Sequence, residues 1–457
     1  MGTPPFLPPK PPGAGEDAIM SHQPPKQPPE IPKPTPLSQQ PAPEIPPHLT
    51  PEPSTLGVTT GTITGQLELA VAYKVTYRFK GGSLPRIHEE QPPLSLQNEP
   101  HDELEPGLLP SQKAVPELLA YSSGTDVMVR AHARPPHPVA GMKVGVVVGS
   151  LRHYAKVTGK RLVDRERDRL VFTPPETFEA MPLRYELAYG GVDRDFEAMV
   201  LEEALAQHDP QDLRRMAAVA QDFLQGVPPA AYPRNPYGKG YVLVGGQEKM
   251  VGKELPNVEL DQDRLSPERL WPSKATRWME MPVPAGFDYM DVGMYPRTAM
   301  MGLPPIWEGD PDQISEVTSG QVPPRFCRGN VLYAEREAVP EMIHPEVVRC
   351  APIGLRAPFL KGDEVVTLYG MDPAEPVMGV YLPGERPVFR IPAMGPGGRE
   401  VEVDTQLYHL FIDVDKRSLS LVWTARTPWS KPLQPGEDQE LAGRVGIRTL
   451  RFGPSHV

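Results

Sequence analysis

The sequence predicts a mainly β protein, β-sandwich-like or multi-sheet, with a short inserted α-hairpin and a disordered amino-terminal arm. Three observations predict it. Several segments alternate apolar and polar residues with a period of two, proline is abundant throughout, and one stretch alone has helical spacing. The chain holds 62 prolines in 457 residues, more than twice the usual share of about 5%. Because proline breaks helices and central strands, a folded body this rich in it is expected to be short strands and long connections.

The arm comes first. Residues 1–56 carry paired prolines from Pro4-Pro5 to Pro46-Pro47 and almost no aromatic residue beyond Phe6. Such a segment buries too little apolar surface to offset backbone entropy, so it is expected to sample polyproline II as a spacer or tether. Order is expected to begin at Leu67. Odd positions from Leu67 to Phe79 are apolar and the even ones mostly polar, ending at Gly81-Gly82, the pattern of a long strand. The pairs Val127 and Val129, the trio Val144, Val146 and Val148, and the series Leu183, Tyr185, Leu187 and Tyr189 repeat that alternation. Residues 195–226 are the helical island. Phe196, Met199, Val200 and Ala204 share one face, Asp209-Pro210 begins a second helix, and Gly226 suits its stop. From 227 to 345 there is little periodicity and much Pro, Gly and Asn, which marks 232–300 as a candidate functional surface. Leu407–Val414 and Leu419–Trp423 flank a polar turn and predict a hairpin. Val445, Ile447, Leu450 and Phe452 suggest a closing strand in a carboxy-terminal extension, 431–457, that follows a β-rich body spanning 57–430.

Charge and cysteine content exclude several classes. The net charge is −11, whereas a nucleic-acid binder needs a basic stripe to replace phosphate counterions. Lys160, Arg161, Arg165, Arg167 and Arg169 are interleaved with Asp164, Glu166 and Asp168, the pattern of a salt-bridged solvated face. Cys327 and Cys350 are too few for a disulfide framework or a four-cysteine zinc site and are expected to be buried thiols. No segment approaches the roughly 20 apolar residues of a membrane span, and the start lacks an apolar signal region. A soluble, cytoplasmic protein is expected.

Catalytic signatures are missing: there is no GxSxG, GxxxxGK[ST], GxGxxG after a strand, or HExxH. His132 and His137 flank Pro135-Pro136 and cannot share a helix face, so they make a poor metal pair. Asp413 with Asp415, and Asp261 with Asp263, lack the further ligands of a calcium loop and read as turn carboxylates. Two carboxylates could still meet in space for glycoside hydrolysis, but 58 acidic residues nominate no pair.

A series of punctuated motifs is more specific. In order they are Tyr121–His132, Leu183–Gly191, Pro233–Tyr241 (PRNPYGKGY), Leu255–Glu259 (LPNVE), Pro284–Phe287, Tyr295–Arg297, Leu360–Glu364, Tyr381–Gly384 and Val403–Thr405. Over about residues 60–430 the series resembles the domain of unknown function 2169, found in type VI secretion clusters. The resemblance implies a non-enzymatic adaptor or chaperone with no cofactor and no metal. It would couple an effector, often one with a PAAR-like tip domain, to the spike protein (the valine-glycine repeat protein). The proline arm lies outside the resemblance, the family's usual Trp is replaced within Gly159–Val163, and the helical insertion lengthens the link from Gly191 to Asn235.

The family brings no catalytic residues. Asn235, Pro236, Gly238 and Gly240, with Leu255, Pro256 and Asn257, are candidates for partner binding, though Gly, Pro and Asn most often act through backbone geometry. Trp271 and Arg297 join them because Trp and Arg are enriched at interface hot spots. The alternatives are a hydrolase of carbohydrate or cell-wall material and a structural component of a phage-tail-like particle.

Overall fold

The computed structural model describes residues 55–63, 66–106, 108–119, 122–196, 198, 230–243, 245–274, 277–291, 294–295, 297, 349–392 and 400–451. In chain order, the strands that carry the architecture begin with β1 (Leu56–Ile63), β2 (Gln66–Arg78), β3 (Thr125–Arg130), β4 (Gly141–Val148), β5 (Leu151–Thr158) and β6 (Val258–Leu260). The second half supplies β7 (Val365–Tyr369), β8 (Val377–Tyr381), β9 (Glu385–Ile391), β10 (Val401–Asp404), β11 (Gln406–Asp413), β12 (Ser418–Pro428) and β13 (Gly446–Arg451). The fold is mainly β, as the alternation and the prolines predict.

A seven-stranded sheet runs β1-β2-β12-β11-β3 and ends on Arg356–Ala357, with Arg86–Ile87 also on β2. Its pairs are antiparallel except β11 beside β3, where His409 lies opposite Asp126 and Asp413 opposite Arg130. A five-stranded antiparallel sheet runs β6-β5-β4-β7-β8. One buried cluster joins the two, taking Val127, Val129, Leu410, Ile412 and Leu421 from the first sheet and Val144, Val146, Val157, Val366 and Val380 from the second. Most of these residues are β-branched, and Val127 with Val129, Val144 with Val146 and Leu410 with Ile412 sit at period two, which fits a pleated, buried surface. A small antiparallel sheet runs β10-β9-β13, with β13 at an edge.

β2 shows what alternation does and does not fix. Leu69, Val71, Val75 and Tyr77 are buried as expected, but so are Ala70, Ala72 and Thr76 on the other face. That face is covered by Leu94 and Leu118, which pack on Ala72 and Val422. The first strand starts at Leu56, earlier than the expected Leu67, and pairs with β2 from Leu56 opposite Tyr73 onwards. Thr55 and Leu56, counted in the arm by composition, are thus already buried. The rest of the arm, 1–54, lies outside the described residues, as do Cys327 and nearly all of the 195–226 insertion.

Two local expectations differ from the structure. Leu183, Tyr185, Leu187 and Tyr189 are all buried, but Tyr185–Leu187 form a 3-10 turn and not a strand. The alternation reports burial on both sides of a tight turn, because Glu186 between them is also buried and accepts hydrogen bonds from Ser111. The 230–297 stretch is irregular as expected, yet it is packed around its own aromatic core of Tyr189, Tyr232, Tyr241, Trp278 and Tyr295. Ring centroids there lie 4.8 Å apart for Tyr232 and Tyr241 and 5.3 Å for Trp278 and Tyr295, within the range of favourable aromatic pairs.

Candidate functional site

The two most distinctive motifs interlock. Tyr189–Gly190 and Lys239–Gly240 pair in parallel, with Lys239 N donating to Ala188 O (3.1 Å) and Tyr241 N to Gly190 O (2.9 Å). Asn235 supplies the pin. Its Nδ2 donates to Tyr185 O (2.8 Å) and Tyr189 O (3.0 Å), and its Oδ1 accepts from Tyr237 N at 3.2 Å. The chains approach so closely that a Cβ on Gly191, whose φ is +98°, would stand 2.2 Å from Gly238 O. On Gly238 it would stand 2.4 Å from Ala188 O. Only glycine fits such an approach. Asn257 repeats the device one turn away, donating from Nδ2 to Thr158 O (3.0 Å) and from its backbone N to Leu187 O (2.8 Å).

A second polar centre lies inside the seven-stranded sheet, at its parallel seam. Asp126 on β3 is 1% exposed. Its Oδ1 accepts from Arg349 Nε, and its Oδ2 accepts from Cys350 N (2.6 Å) and Ala351 N (3.2 Å). His409 on β11 brings Nε2 to 3.6 Å from Cys350 Sγ. Burial alone would raise the Asp126 carboxyl, but Arg349, with His409 and Arg356, holds it below the ordinary range. Burial drives the Cys350 thiol well up, and Asp126 adds to that. Burial also lowers the His409 pKa, partly offset by Asp126.

Asp126, Cys350 and His409 place one donor atom each within 4.8 Å of the others, close enough in principle for a metal ion. The donors do not suit one. Both Asp126 oxygens are engaged by a guanidinium and two backbone amides, and Arg349 and Arg356 both act electrostatically on that carboxylate. A dication there would face cations and the positive ends of N–H groups, at a site where Coulomb interactions are strong. A thiolate nucleophile is equally unsuited, since the thiol is buried and its ionisation suppressed. The centre reads as a brace that ties the 349–351 segment to β3 and β11.

The structure turns most of the nominated residues inward. Asn235, Gly238, Leu255, Pro256, Asn257 and Arg297 are buried; Pro236, Gly240 and Trp271 are half-buried. Gly240 takes φ +96°. Leu255 N donates to Arg161 O, and Pro256 O accepts from Arg161 Nη2 at 3.0 Å. Trp271 lies flat against Gly245, where a Cβ would stand 2.1 Å from Trp271 Cδ2. Arg297 donates to Met290 O, whose own N donates to Cys350 O, so that arginine adjoins the brace. Asn235, Gly238 and Gly240 meet in the clasp, Trp271 packs against the aromatic cluster that holds Tyr189 and Tyr241, and Arg297 adjoins the brace. Sequence reading missed Asp126, Arg349 and His409. Asp126 lies more than two hundred residues from both Arg349 and His409 along the chain, and no local spacing connects them.

Residues 64–424 match the family described as uncharacterized protein conserved in bacteria (DUF2169). The chain belongs to that family. The match covers the five-stranded sheet, the clasp, the brace and the seven-stranded sheet except β1 and the end of β12, and leaves out β13. No curated protein and no solved structure matches the chain.

Proposed function

We propose that the protein is a non-catalytic adaptor or chaperone that binds a type VI secretion effector, one with a PAAR-like domain, and loads it on the spike protein. The observation that carries the non-catalytic part is the state of the buried carboxylates. Asp126 pairs with Arg349, Asp288 with Arg130, Glu259 with Arg161, Glu186 with Arg184 and Glu117 with Lys74. An acid–base pair for hydrolysis needs one carboxyl held protonated near neutral pH. Asp413 has its pKa raised by burial. It accepts from Lys416 N in the β11–β12 turn. Buried carboxylates committed to such ion pairs support a reading in which the protein acts through binding energy.

The secretion system and the partners rest on the motif series and the resemblance that it carries. No helix among the described residues is long and apolar enough to cross a membrane, which suits a protein that meets its effector before export. Co-expression with the product of an adjacent effector gene, with a tag on one of the two, tests the proposal. Co-purification and a gain in soluble effector support it. Separate elution with unchanged effector solubility refutes it.

A further inference from the structure

The segment between Leu94 and Leu118, the two leucines that cover one face of β2, is fastened in an unusual way. Its arms pair with each other: Glu117 N donates to Ser95 O (2.8 Å), His101 N to Ser111 O (2.8 Å), and Glu99 lies opposite Ala114. Its attachment to the body is chiefly polar. Ser111 gives its N and Oγ to Glu186 (both 2.8 Å), and His101 Nε2 lies 3.2 Å from Asp288 Oδ2. Arg130 Nη2 reaches Lys113 O, Arg184 Nη2 reaches Asp102 O, and Lys74 Nζ reaches Glu117 at 2.8 Å. Between residues 95 and 117 the buried described residues are Ser111, Val115 and Glu117. Val115 is thus the one buried apolar side chain among them, with half-buried Leu104 also packed on the core and Leu94 and Leu118 held at the flanks. Leu96 and Leu109, by contrast, are 68% and 48% exposed.

Apolar burial sets most of a segment's resistance to opening, and segments with little of it open locally at lower cost than the core. We propose that residues 95–106 and 108–117 belong to a strap that opens as one unit while the body beneath, β2 and β3 included, stays closed. Opening uncovers Glu186, Asp288 and the Tyr237 edge of the small cluster that Tyr185, Met290 and Met294 form. The inference does not depend on the adaptor reading. It concerns a moving part of the fold, whatever that part admits.

A two-stranded hairpin on its own is marginal in water, so its amides lose protection together once it leaves. Native-state hydrogen exchange on the full chain reads this directly. The amides of Ser95, His101, Ser111 and Glu117 are expected to share one opening constant, larger than that of the β2 and β12 amides. His101→Ala and Ser111→Ala each remove a bond to a buried carboxylate. Each is expected to raise exchange by about tenfold to a hundredfold across both arms, with β2 and β12 unchanged. Acceleration confined to the neighbours of the substituted residue, or strap amides that exchange at the sheets' rate, overturns the proposal. Should a variant fail to fold, the wild-type rates alone decide: a common strap value above the sheets' supports it, and a single value for all refutes it.

Discussion

Replacing Asp126 by Asn tests the brace most directly. The substitution keeps size and shape but removes the charge that faces Arg349 and turns one accepting oxygen into a donor. Arg349 and Asp126 are both nearly inaccessible, at 4% and 1% exposed. Breaking such a pair from one side typically costs about 3–5 kcal/mol, because the partner charge stays buried. The Cys350 and Ala351 amides both donate to Oδ2, so the new amide group either faces Arg349 donor to donor or deprives both backbone amides of their acceptor, at about 1–3 kcal/mol. The losses share one site and overlap, so a total of about 4 kcal/mol is expected. With a urea slope of about 3 kcal/mol/M, the unfolding midpoint falls by about 1.3 M. Arg349→Met alone should also destabilise. The double variant should lose less than the sum of the two, since it leaves neither charge alone. A fall in midpoint under about 0.3 M, or strictly additive single and double variants, would sink the reasoning.

Acid should destabilise the fold through His153. Burial lowers its pKa from 6.5 to about 4, only partly offset by a backbone bond at Gly286. Because the unfolded chain takes up the proton first, stability is fully present above pH 6.5 and falls as pH drops towards 4, by about 3 kcal/mol in all. Urea midpoints at pH 7.5 and 4.5 check this, and a His153→Leu variant with the same acid loss would contradict it. Gly191→Ala should cost several kcal/mol, from the clash with Gly238 O and the positive φ together; a thermal midpoint within a degree of wild type would show the clasp to be slack. In a Cys327→Ser background, Cys350 should resist alkylation at pH 8 until urea unfolds the chain, and prompt labelling of the native protein would argue against its burial.

The sheets were legible in the sequence wherever one residue in two had to be apolar. β2, β4 and the β11–β12 hairpin follow directly from that pattern, and Arg417 takes a left-handed φ of 55° in the polar turn. Periodicity misled at Tyr185–Leu187, where alternate burial arises from a tight turn with a buried Glu186. It was silent over 230–297, because an aromatic core built on irregular backbone has no period to detect. The motif glycines were recognised as shaping residues, and their reason is close chain approach. What the sequence nominated as a docking surface is largely a set of chain crossings. Asn, Gly and Pro look alike whether they present a loop outward or pin one inward, and only burial separates the two. The brace was illegible because it draws on residues 126, 349–351 and 409, and distance along the chain conceals such partners.

The pairing of β2 with β12 has a consequence for synthesis. Val75 lies opposite Leu421 and Tyr77 opposite Leu419, so a strand made early waits for one made near the end. At a translation rate of about 5–20 residues per second, β2 leaves the ribosome roughly 20–70 s before its neighbour exists. During that interval the β1–β2 hairpin shows a bare edge and an uncovered apolar face, the features that invite strands from other nascent chains. The protein should therefore be sensitive, as it is made, to growth temperature and to the supply of general holding chaperones. Its soluble yield should respond to the pace of elongation through the 340 or so codons between those strands more than to the stability of the finished fold.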